Sequence, residues 1–201
     1  MKRQLVLIGT LLLAVLFAGC VGKDFIRPPE GTFVLGKTSY QETLNTVGVP
    51  ERTATGLKNG RQVKQLTYVY AKAYASTCVS GLSAAARVLV LSFDEDKLVG
   101  FSFASSFTDD CSDFDESKAT QIVKGQTTEA QVREMYGRPG GEEIFPMVPE
   151  GKHSWVYSYG HSRQSAGSDL SRRTYNKTLR VIFESNGDVN EVEMGVAGQK
   201  L

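Results

Sequence analysis

Apolar and polar positions alternate with a period of two in two separated stretches of the chain. Tyr68, Tyr70 and Tyr74 are spaced by small or polar residues, and so are Trp155, Tyr157 and Tyr159. That period predicts strands with one packed face. Residues 88–93 and 178–183 are further apolar strand candidates, each ending in a Phe-acid pair and a polar turn, Asp94-Glu95-Asp96-Lys97 and Ser185-Asn186-Gly187-Asp188. Residues 98–103 and 189–194 return as third strands. Ahead of the second set the period changes: Val132, Met135 and Tyr136 fall at helical spacing. Thr38 and Thr127 are N-cap candidates, while Gly48 and Gly137, with Pro50 and Pro139 two places on, stop the helices. Residues 117–124 predict an additional short helix, whose counterpart before Gly36 contains Pro28-Pro29 and is expected to be extended.

These elements are written twice. Gly36 and Gly125, Thr38 and Thr127, Gly48 and Gly137, and Pro50 and Pro139 are each 89 residues apart, and residues 66–70 lie over 155–159 at the same offset. One residue of slip then aligns 88–93 with 178–183. The expected fold is α+β: two tandem units, each of short helices packed on a three-stranded antiparallel meander. The boundaries expected are a signal at 1–19, a lipidated tether at 20–31, one unit at 32–104, an acidic Ser-rich linker at 105–116 and a second unit at 117–201.

The start of the chain has a separate logic. Lys2 and Arg3 precede an apolar run over 5–17, broken only by Thr10, and small Ala18 and Gly19 precede Cys20. This is an export signal, and it resembles the bacterial lipobox, in which the Cys thiol takes a diacylglyceryl group (palmitate-type chains). A plain cleaved signal and an uncleaved membrane anchor are the alternatives. Several acyl chains on Cys20 would make a stable tether where one would not. Val21 in place of Asp resembles the outer-membrane default, implying a lipid-anchored, periplasm-facing protein.

Without residues 1–19 the chain keeps 21 basic and 22 acidic residues. Near-neutrality gives no electrostatic footprint for nucleic acid. Once Cys20 is acylated, Cys78 and Cys111 remain, an even number for an oxidising compartment, and a disulfide is expected, the alternative being two free thiols.

No nucleophile elbow, phosphate loop or His-Glu-x-x-His is present. No catalytic residue, metal site or cofactor is expected, and the chain is read as a non-enzyme. His153 and His161 are read as solvent residues at strand ends, and Asp109, Asp110, Asp113, Asp115 and Glu116 as a solvated acidic linker. Two groups are candidates for contact with a partner or with anionic lipid. One is the basic set Arg163, Arg172, Arg173 and Lys177, with Asp169 the sole acid among them. The other is the stripe Tyr68, Tyr70 and Tyr74, three aromatics exceeding what a small unit needs to bury.

The order Gly-x-Thr, short helix, Gly-x-Pro, aromatic strand and Phe-acid hairpin resembles the SmpA/OmlA (BamE-like) family of outer-membrane lipoproteins, here in tandem. The resemblance implies protein–protein contact in cell-envelope assembly or maintenance, with an envelope protein as partner. Tandem copies are similar to the architecture of β-lactamase inhibitor protein, which implies an alternative: a tethered inhibitor of a periplasmic or extracellular hydrolase.

Overall fold

A computed structural model describes residues 22–73, 75–79, 84–164 and 172–198, with the side chains of residues 163, 164, 172 and 173 outside that description. Cys20 and Tyr74 also lie outside the described residues. Eight strands follow one another: β1 (Arg52–Lys58), β2 (Arg61–Ala73), β3 (Ala84–Asp94), β4 (Lys97–Ser105), β5 (Gly141–Ile144), β6 (His153–Gln164), β7 (Arg172–Phe183) and β8 (Val189–Gly198). Helix α1 (Tyr40–Val47) precedes β1, and a 3-10 turn (Glu116–Gln121) and helix α2 (Glu129–Tyr136) precede β5. The strands form one antiparallel sheet in the order β1 to β8.

This overturns the expected α+β pair of three-stranded units. The described residues form mainly one continuous eight-stranded sheet, four strands from each repeat, with little helix among them. Two strands escaped the apolar pattern, for different reasons. β1 is almost wholly exposed, so it has no buried face to alternate. Its signal is the turn instead: Asn59 and Gly60 both have positive φ, 41° and 77°, as the tightest hairpins require. β5 is only four residues long and begins at a close backbone approach, since a Cβ on Gly141 would lie 2.0 Å from the Phe101 carbonyl oxygen. By pairing with both β4 and β6, this short strand merges the two repeats.

Directly opposed residues share a sheet face, so the register assigns the faces. Leu66, Leu91, Phe101, Glu142, Trp155, Val181 and Val192 form one unbroken cross-strand row. The first three pack with Tyr40, Leu44 and Val47 of α1, and Trp155, Val181 and Val192 pack with Val132, Met135 and Tyr136 of α2. Both helices therefore cover the same face. The adjacent row, Thr67, Val90, Ser102, Gly141, Val156, Arg180 and Glu193, belongs to the other face.

The repeat is visible in hydrogen bonds. Val34 N–H donates to Thr38 Oγ1 and Val123 N–H to Thr127 Oγ1, both at 2.9 Å. The Tyr68 hydroxyl donates to the Gly48 carbonyl at 3.0 Å, and the Tyr157 hydroxyl to that of Gly137 at 3.1 Å. The capping residues are Ser39 and Thr128, each in a capping box, one place after the expected Thr38 and Thr127. Thr38 and Thr127 are used instead to close the preceding turn.

The segment ahead of α1 is packed across both repeats. Phe25 meets Phe103 edge-on at 6.5 Å, and Phe33 is buried in the first core. Arg27 Nη2 donates to the carbonyls of Arg138 (3.1 Å) and Pro139 (2.6 Å), and Arg138 Nη2 returns a bond to the Pro28 carbonyl (3.1 Å).

Candidate functional site

The upper end of the sheet, where β2 leads to β3 and β6 to β7, holds the ionisable groups. Arg87 on β3 and Lys177 on β7 are 90 residues apart and occupy equivalent places in the two repeats. Each is only 3% exposed, on the helix-covered face. The linker supplies carboxylates to both. Arg87 pairs with Asp110 and Asp109 at 2.8 Å and with Asp24 at 2.9 Å, and its guanidinium lies 4.0 Å from the centre of the Phe107 ring. Lys177 pairs with Asp113 and Glu116, both at 2.7 Å, donates to the Phe114 carbonyl, and lies 4.6 Å above the Phe114 ring. Burial pulls the pKa of each cation down, but hydrogen bonds and charge from the acids outweigh it, so both are raised above their ordinary values.

The linker is thus not a solvated spacer, as its composition suggested. Composition counts its acids but cannot see the two buried cations that they face. Cys78 and Cys111 form the expected disulfide, which joins the β2–β3 connection to the linker midway between its two acid pairs.

Beside Lys177 lies a cleft of roughly 490 Å³, lined by Val79, Asp113, Phe114, Asp115, Glu116, Tyr159, His161, Tyr175 and Lys177. The His161 ring sits between those of Tyr159 (5.6 Å) and Tyr175 (5.3 Å). Neither His161 nitrogen nor the Tyr159 hydroxyl has a hydrogen-bond partner among the described residues. Burial pushes the Tyr159 hydroxyl up to about 12. His161 is held below its ordinary 6.5, first by burial, with Asp113 opposing and Lys177 assisting. Its sign is definite. Below pH 6.5 the unfolded chain protonates this histidine more readily than the fold does, so stability is lost as pH falls through the folded value. Thermal unfolding is expected to shift down between about pH 7 and about pH 5, and His161→Phe to flatten that step. An unchanged slope in the variant would assign the acid sensitivity to other groups.

The second face is partly covered. The β5–β6 connection folds over its lower half, where Asn59 donates to the Pro146 carbonyl at 3.0 Å and Met147 lies against Gly100. Its upper half is open and spans both repeats. A trough of roughly 400 Å³ there is lined by Ala86, Val88, Ala104, Ser158, Tyr159, Gly160, His161, Ser162, Thr174, Asn176 and Thr178. The trough follows from β5 being short. Above Ser102 no strand among the described residues separates β4 from β6, and Ser112 bridges them, receiving the Ser105 N–H at 2.8 Å and donating to the Ser158 carbonyl at 2.7 Å.

The candidate contact residues are scattered by these placements. Lys177 is no loop residue but a buried strand residue, because the acid pair and Phe114 enclose it. Tyr68 belongs to the core, as its hydroxyl is needed at the end of α1. Tyr70 is half-buried and stacks on Phe107 at 5.7 Å, and Tyr74 lies outside the described residues. Arg163 and Arg173 are register partners where β6 ends and β7 begins, with Arg172 next in the chain, and their side chains are outside the description. His153 is not a free solvent residue either, since it bonds Glu129 at 2.9 Å and stacks on Phe183. Sequence reasoning missed Arg87 as a site residue, although its match to Lys177 at an offset of 90 was a usable signal.

No protein-family model matches the chain, and no curated protein matches it. The SmpA/OmlA resemblance therefore rests on the quoted blocks alone. Among solved structures, the chain is similar to a Streptococcus mutans protein provisionally described as a β-lactamase inhibitor protein. The identity is 14%, the TM-score 0.40, and the match covers 79% of this chain and 82% of the other. That likeness is distant, and no function passes across it.

Proposed function

We propose that this chain is an exported lipoprotein, anchored through Cys20 in the outer membrane and facing the periplasm. It acts by protein contact rather than catalysis, in envelope assembly or maintenance. The observation that carries the contact reading is the open upper half of the second face. It runs across both repeats and is lined mainly by small, uncharged side chains, while the bulky residues of the same strands pack on the covered face. A trough of that kind accepts protruding side chains of a partner, as the centre of an interface does. The Cys78–Cys111 disulfide supports an oxidising compartment. The recurring Gly-x-Thr to Gly-x-Pro blocks support an envelope role through their likeness to SmpA/OmlA lipoproteins.

The test is photo-crosslinking in intact envelopes, with the reactive residue placed at Thr178 in the trough or at Glu134 on the covered side. Thr178 and Glu134 are not equivalent positions: the first lines the trough and the second is an exposed residue of α2. Barrel-assembly or other outer-membrane proteins captured from Thr178 alone are the expected result. Capture of one soluble hydrolase would favour the tethered-inhibitor alternative. Equal capture from both positions would sink the trough as the contact surface.

A further inference from the structure

A lipid anchor at Cys20 has almost no slack. Asp24 is held by Arg87 at 2.9 Å, and Phe25 and Arg27 are packed on the body of the protein. The chain is already seated at Gly22. A Cβ there would lie 2.0 Å from the Val69 carbonyl oxygen and 2.6 Å from Glu51 Oε1, so only glycine allows the approach. Glu51 is itself fixed, receiving the Val69 N–H at 2.9 Å. β1 stops pairing at Thr67, so Gly22 lies against the outer edge of β2 just above the end of β1. Cys20 is two residues from Gly22, a reach of about 7 Å along extended chain.

We propose that the upper end of β2 is a membrane-contact surface, held against the head groups of the bilayer that carries the anchor. This rests on the lipoprotein reading and adds an orientation to it. A flexible linker would let the protein turn freely, and a two-residue one does not. Exposed Lys23 and Lys72 near this point are cationic and Val69 adds an exposed apolar side chain, while the neighbouring acids Asp24 and Glu51 are engaged by Arg87 and by the Val69 N–H. The lower end of the same strand, where β1 turns into β2, is left to face the periplasm.

The experiment uses full-length, acylated protein in vesicles of phosphatidylethanolamine and phosphatidylglycerol that carry a nitroxide on a lipid head group. A fluorophore is attached through Lys72→Cys or Lys58→Cys, both exposed positions, with the native disulfide intact. The two sites are separated by the length of β2, about 35 Å of strand rise. The expected result is loss of most of the Lys72-site fluorescence and little loss at the Lys58 site. Inserting ten Gly/Ser residues between Val21 and Gly22 adds a span of about 17 Å and is expected to equalise the two. Equal quenching in membrane-bound protein without the insertion overturns the orientation. Quenching at the Lys72 site that survives the insertion overturns the short tether as its cause. Protein that fails to float with the vesicles overturns the anchor, and the orientation with it.

Discussion

Replacing Asp110 by alanine is expected to lower the unfolding free energy by about 3–5 kcal/mol, the usual effect of removing one partner of a buried ion pair. Asp110 is the most enclosed acid on Arg87, 11% exposed against 65% for Asp109. It also receives the Ser105 hydroxyl and the Arg27 N–H, so its loss strands three donors at the junction of linker, sheet and tether. Asp109→Ala should cost under about 1 kcal/mol, because water can replace an exposed carboxylate. Denaturant titration of the two variants decides the matter. Similar losses would mean that the three acids share Arg87 evenly, and the linker would no longer be organised around Asp110.

Removing the disulfide by Cys78→Ser with Cys111→Ser is expected to cost about 3–4 kcal/mol in the chain-entropy model. The bridge closes a loop with a sequence separation of 33. For a protein of this size the melting temperature should fall by about 10 °C. The effect has a spatial corollary. The bridge holds the linker between Asp109-Asp110 and Asp113-Glu116, so its loss should expose the β2–β3 connection and the linker to hydrogen exchange before it exposes β6 or β8. A uniform rise in exchange would place the bridge's effect in the unfolded chain alone.

These two variants matter for function because the linker shapes what lies on either side of it. On the covered side its acids and Phe114 wall the His161 cleft. Toward the open side Ser112 draws β4 and β6 together where β5 is absent, forming the trough. A linker released from Arg87 would therefore loosen both.

Much of this was legible in the residues. The repeat could be read from glycines, threonines and prolines because each does a local job: turn, cap or stop. The hydrogen bonds that recur at Thr38 and Thr127, or at Tyr68 and Tyr157, are those same jobs done twice. The disulfide followed from counting cysteines. β2 and β6 announced themselves by alternation, and β3 and β7 by apolar runs that end in a Phe-acid pair and a polar turn, all properties of neighbours along the chain.

What the sequence could not decide is which sequentially distant groups meet. Alternation says that Tyr68 and Tyr157 share a face with their partners, but not that α1 and α2 cover that face and leave the other open. A basic residue in a polar stretch reads as solvated. Only the approach of Asp113 and Glu116, 64 and 61 residues away in sequence, makes Lys177 a buried ion. β5 is too short for any periodicity and exists because β4 and β6 offer it two edges. Local chemistry determined the repeat and the elements other than β1 and β5. Long-range pairing, whose energy depends on contacts that no window of sequence contains, made one sheet of two repeats and placed the cleft and the trough at their junction.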